Sequence, residues 1–203
     1  MPVPEVAVTG PGRVPILWIT AGVLFVVSAA MLAIRSMPSN MAGTALMSVH
    51  WMLISSFALA CIFSAAAIWP PQEHSAIVLR TASVTTGVFG LWVFFSPLVL
   101  SLLAADMTLL VDALVRIVIG GTAVSCLSRS SLAHPWRAIP AITFGVVALA
   151  ALLAQAFLTS NATMDLAVLA NNLLVLIQVA ASVVIGVVAL KFARLPRPST
   201  PII

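Results

Sequence analysis

The most regular feature of the chain is a set of six long apolar runs separated by short polar connections. They cover about 14–34, 42–68, 81–103, 108–127, 139–158 and 166–190, and each matches the roughly 20 residues a helix needs to cross about 30 Å of hydrocarbon. Arg35 closes the first, Trp69-Pro70-Pro71 the second, and Lys191, Arg194 and Arg197 the sixth. Inside hydrocarbon a backbone must satisfy its own polar groups, which a helix does and an open strand does not. The pattern therefore predicts an all-α polytopic membrane protein, with six transmembrane helices forming a single transmembrane domain over residues 1–203. With 21 uncharged residues, the first run is longer than the apolar region of a secretory signal and reads as a span.

Six helices divide naturally into three hairpins, and the chain carries a matching internal spacing. Gly22, Gly90 and Gly145 are each followed six residues later by a small residue, Ser28, Ser96 and Ala151. Met47, Asp112 and Ala170 lie 25, 22 and 25 residues beyond those glycines, and Cys61 and Cys126 lie fourteen residues beyond Met47 and Asp112. A period near 60 residues predicts one hairpin used three times.

The middle hairpin runs Gly90-Leu91-Trp92-Val93-Phe94-Phe95-Ser96-Pro97-Leu98-Val99-Leu100, then a short acidic turn and a helix containing Gly120-Gly121. It resembles the SPW-repeat family of small bacterial membrane proteins, named for a Ser-Pro-Trp in each repeat. The resemblance covers roughly residues 82–190, with Leu98 where the tryptophan would stand and Ala151-Leu152 where Ser-Pro would fall in the fifth helix. It implies paired transmembrane helices duplicated along the chain and no established biochemical activity. Read from the residues themselves, Pro97 removes a backbone hydrogen bond and bends the third helix, with Ser96 available to re-satisfy the freed backbone.

Composition narrows the function classes. Of 203 residues, 62% are apolar and 7% charged, with a mean hydropathy of +1.20, so no separate soluble domain is expected. Nine Lys and Arg against five Asp and Glu give a charge of +4, but the basic residues are dispersed, without interleaved aromatics, and nucleic acid is not an expected partner. Topology explains them better. Arg13, Arg80, Arg129, Arg137, Lys191, Arg194 and Arg197 fall on one side and Arg35 on the other, which by the positive-inside rule puts both termini in the cytoplasm of a bacterial cell, with the protein in its inner membrane. Trp18, Trp69 and Trp136 fall near the same helix ends, where amphipathic rings favour the interface. Cys61 and Cys126 lie inside apolar runs and read as buried thiols rather than a disulfide.

Candidate chemistry is sparse. Asp112 and Arg116 stand four apart on the fourth helix, a spacing that lets them pair. Charges inside a span cost enough to point inward and to mark candidate sites. His50 on the second helix and Asn171 and Asn172 on the sixth reach a similar depth, which predicts a polar cluster with the pair. Asn171, Gln178 and Ser182 make a polar stripe whose default use is hydrogen bonding between helices. No cofactor or metal is expected. His50 is the only histidine inside a span, which leaves no bis-histidine haem site and no zinc ligand set. Met31, Met37, Met41, Met47 and Met52 are spread out and read as apolar filling rather than a copper site. No Walker loop, dinucleotide fingerprint, H-E-x-x-H, G-x-S-x-G or Cys-x-x-Cys occurs, so a membrane enzyme is disfavoured.

Two functions remain. The first is a structural or interaction protein in the lipid bilayer, a homo-oligomer or an accessory subunit beside other membrane subunits, associating through the small-residue faces Gly120-Gly121-Ala123 and Ala180-Ala181-Gly186. The alternative is a small transporter or channel with a polar site in the outer leaflet made of Asp112, Arg116, His50, Asn171 and Asn172.

Overall fold

The computed structural model describes residues 13–36, 43–69, 77–102, 105–130, 136–159 and 164–194. They form six long helices: α1 (Arg13–Ser36), α2 (Gly43–Ile68), α3 (Ile77–Leu100), α4 (Ala105–Arg129), α5 (Ile139–Thr159) and α6 (Met164–Arg194). A single 3₁₀ turn, Trp136–Ala138, leads into α5, and no strand occurs among the described residues. All six helices are long and apolar enough to cross a membrane. The chain is an integral membrane protein, and the described helices show why the apolar runs fold this way: a helix closes its own backbone hydrogen bonds where no water is available. Ser28, Thr85, Thr86 and Ser56 do the same for their hydroxyls, each donating to a carbonyl three or four residues back in its own helix.

The helix ends differ from the apolar runs in a consistent way. α3 begins at Ile77, ahead of Arg80, and α6 runs on through Lys191 to Arg194. A charge ends an apolar run but not a helix, because a long basic side chain reaches the interface while its stem stays along the apolar surface. At its other end α3 stops at Leu100, short of the expected Leu103, and Leu103 itself lies outside the described residues.

The helices pack in chain order as a ring. Each meets its neighbours in sequence, and α6 returns to α1 in one of the two most extensive contacts, while α4 against α5 is the thinnest of the six seams. Glycines set the closest approaches. A Cβ on Gly22 would stand 2.9 Å from the Gly186 carbonyl oxygen, and one on Gly186 2.9 Å from that of Gly22, so the α1–α6 seam that closes the ring requires both residues to lack a side chain. Gly90 does the same for α3 on α2, where an added Cβ would lie 2.8 Å from both the Ala58 oxygen and the Cys61 Cβ. Beside it Ser83 donates across the seam to the Ala65 carbonyl at 2.6 Å. Gly145 on α5 has nothing within 4 Å of such a Cβ; here the neighbouring Phe144 makes the contact, filling the space over Gly120 of α4.

Two apolar layers occupy the interior. At one end Trp18, Ala67, Ile68, Ala82, Leu127, Val188, Ala189 and Phe192 are buried together, with Trp136 and Ile139 packed against them, so all six helices meet there. Arg80, Arg129, Arg137, Lys191 and Arg194 lie around this end, the basic end of the bundle. Lys191 Nζ sits 5.8 Å from the centroid of the Trp136 ring, and Arg137 Nη1 donates to the Ser130 carbonyl at 2.8 Å. Further along the helices, phenylalanines from four of them touch in series: Phe25 on Phe57 at 5.5 Å, Phe57 on Phe89 at 6.3 Å and Phe89 on Phe144 at 6.4 Å between ring centroids, all edge to face. Because α3 and α5 are not ring neighbours, the last contact bridges the interior in front of Gly120. Edge-to-face pairs of this kind add about 0.5–1.5 kcal/mol each to ordinary packing.

Candidate functional site

Asp112 and Arg116 are joined as their spacing predicts. Arg116 Nε donates to Asp112 Oδ1 at 2.8 Å. A third residue, which the sequence reading did not single out, completes the arrangement: Trp92 Nε1 on α3 donates to the same oxygen at 3.0 Å. The pair therefore ties α4 to α3 as well as neutralising itself. The signal for Trp92 was present in the chain. An indole N–H inside a span needs an acceptor, and Trp92 stands ten residues before Leu102 as Asp112 stands ten after it, which brings them level in an antiparallel hairpin.

The other polar residues are not drawn into this cluster. The His50 ring lies 6.3 Å from that of Trp51, which in turn lies 6.4 Å from Phe94. Its Nδ1 is buried without a hydrogen-bond partner. Asn171 and Asn172 are exposed and Gln178 is half-buried on α6. These residues sit on α2, α4 and α6, alternate members of the ring, and the extensive helix contacts run only between ring neighbours.

What they share is a position. In α4, the stripe that buries Leu127, Ala123 and Gly120 continues one turn further to Arg116 and a second turn to Asp112, whose side chains are 43% and 24% exposed. In α2 the stripe of Ala65, Cys61, Ala58 and Ile54 is buried, but its continuation passes half-buried His50 and ends at Met47, 60% exposed. In α6, buried Ala189 and Ser182 lead to half-buried Gln178 and exposed Asn171. The same face that packs inward near the basic end is less fully covered toward the other end, and the polar residues lie on that partly exposed stretch. Asn172, one residue round the helix from Asn171, stands instead in line with exposed Leu176 and Val183.

Pro97 is inside α3, which continues to Leu100. Its missing N–H leaves the Val93 carbonyl without its helical partner, and the buried Ser96 hydroxyl donates to that carbonyl at 3.3 Å. The small-residue faces divide. Gly120, Ala123 and Gly186 are buried within the bundle, whereas Ala180 is exposed and Gly121 is half-buried, with only Phe144 Cε1, 3.9 Å away, near an added Cβ. Cys61 is a buried free thiol and Cys126 a half-buried one. Among the described residues no group of three or more His, Cys, Asp or Glu could hold a metal ion. Two shallow apolar grooves mark the surface, one of about 250 Å³ between α3 and α4 and one of about 170 Å³ between α5 and α6. Set against protein-family models, curated proteins and solved structures, the chain matches none of them.

Proposed function

We propose that the protein is a non-enzymatic membrane subunit that works by association, with copies of itself or with other membrane proteins, in the inner membrane of a bacterial cell. The observation that carries this reading is the closure of the ring at the basic end, where residues of all six helices pack together beneath the phenylalanine series. Such an interior leaves little room for a hydrated path, while half-buried Gly121 and exposed Ala180 offer small residues for close helix approach. The resemblance to SPW-repeat proteins belongs to the same proposal. Gly22 against α6 and Gly90 against α2 support a hairpin used three times, with Gly145 as the departure. Both termini are cytoplasmic in this reading, on the strength of the basic residues gathered at one end.

Cross-linking in native membranes followed by mass measurement tests it. A discrete homo-oligomer or a defined complex is expected, and Gly121→Leu should reduce it at least tenfold, since within the chain an added Cβ there meets only Phe144 Cε1, at an ordinary contact distance of 3.9 Å. A second reading, a small transporter, draws on the polar stripe partly exposed away from the basic end. A strictly monomeric protein that moves solutes across liposomes, with the flux abolished by Asp112→Ala, would overturn association and establish transport.

A further inference from the structure

The guanidinium of Arg116 is held but not used up. Its Nε is tied to Asp112 Oδ1, and that oxygen is fixed in turn by the Trp92 indole from the neighbouring helix. A guanidinium carries five N–H donors in a planar fork. No other hydrogen bond joins Arg116 to the protein among the described residues, and its side chain is 43% exposed. Thirteen residues separate Arg116 from Arg129 at the basic end, which at about 1.5 Å per residue puts it about 20 Å along the helix from that boundary. In a hydrocarbon layer about 30 Å thick this is nearer the opposite surface. Helical side chains lean toward the N-terminus of their helix, and for α4 that direction leads to the same nearer surface.

The arrangement is that of a preorganised fork. One edge is fixed by a carboxylate, and the remaining donors are presented on a stripe that the rest of the ring leaves partly exposed. Donors left unpaired at this depth are costly, and the groups that match a planar fork in shape and charge are tetrahedral or planar oxyanions. We propose that Arg116, positioned by Asp112 and Trp92, binds the phosphate group of a ligand that reaches it from the side of the membrane opposite the basic end. Two sources offer that chemistry, a free phosphate and the headgroup of an anionic phospholipid. Because Asp112 already balances the charge, recognition rests on the fork geometry, so lysine is a poor substitute. The inference stands independently of whether the protein associates.

Equilibrium binding of radiolabelled inorganic phosphate to the full chain in phosphatidylcholine nanodiscs tests the first source. Native mass spectrometry of the protein taken from phosphatidylglycerol-containing membranes tests the second. Saturable phosphate binding, unaffected by chloride at equal ionic strength, identifies a free anion; retained phosphatidylglycerol identifies the lipid. In either case Arg116→Lys should weaken binding at least tenfold while leaving the helical spectrum and melting unchanged. Should Arg116→Lys fold poorly, the neutral pair Asp112→Asn with Arg116→Gln removes the fork without stranding a charge, and must also abolish binding. The proposal is overturned if neither phosphate nor phosphatidylglycerol binds, or if the ligand that binds does so equally well without Arg116.

Discussion

At the scale of single residues, Asp112 carries the most. Its Oδ1 accepts from both Arg116 and Trp92, so its loss strands a guanidinium and an indole N–H at once. Asp112→Asn should lower the folded yield sharply, because removing one partner of a pair inside a membrane leaves the other uncompensated. Joining it with Arg116→Gln should recover much of that yield. Trp92→Phe removes the donor together with part of the ring, and should cost about 1–2 kcal/mol, a hydrogen bond between membrane helices plus the packing of the lost ring atoms. Reversible unfolding in mild detergent measures all three, and an Asp112→Asn protein as stable as the parent would show that the charge pairing with Arg116 is not what stabilises α4.

At the scale of helices, the glycines sort into those that hold a seam and those that do not, although the chain presents them alike. Gly22 and Gly186 face each other's backbone across the ring closure, where an added Cβ would come within 2.9 Å of a carbonyl oxygen. Backbone cannot yield as a side chain can, so Gly22→Ala should destabilise by about 1–3 kcal/mol, the usual cost of overpacking. Gly145→Ala meets nothing within 4 Å and should stabilise by about 0.5–1 kcal/mol through the helix preference of alanine. Thermal unfolding of the two variants side by side separates the cases. Equal effects would mean that the α1–α6 approach does not govern stability.

At the scale of the molecule, the six helices alternate in direction and gather the basic residues at one end. After replacement of Cys61 and Cys126, a cysteine at Ser160 should react with an impermeant thiol reagent in intact cells and one at Ser199 should not. The reverse pattern would invert the orientation and would turn the partly exposed polar stripe toward the cytoplasm, moving the expected source of any phosphate ligand with it.

The chain by itself determined the number and kind of elements, because crossing hydrocarbon imposes a length and an apolar content that few other structures share. It also determined the Asp112–Arg116 pair and the Ser96 bond beside Pro97, since both are contacts within three or four residues of one helix, whose geometry fixes them. The tertiary structure decided the rest. Trp92 became part of the site only through the register of α3 against α4, and His50, Asn171 and Asn172, alike in depth, remained apart because α2, α4 and α6 alternate around the ring. Gly120 and Gly121 are adjacent and chemically identical, yet an added Cβ on the first would run into the Phe144 ring while one on the second would meet it only at 3.9 Å. Depth follows from counting residues along a helix, but which face meets which neighbour depends on side chains far away in sequence, and in a membrane every face of an apolar helix reads much the same.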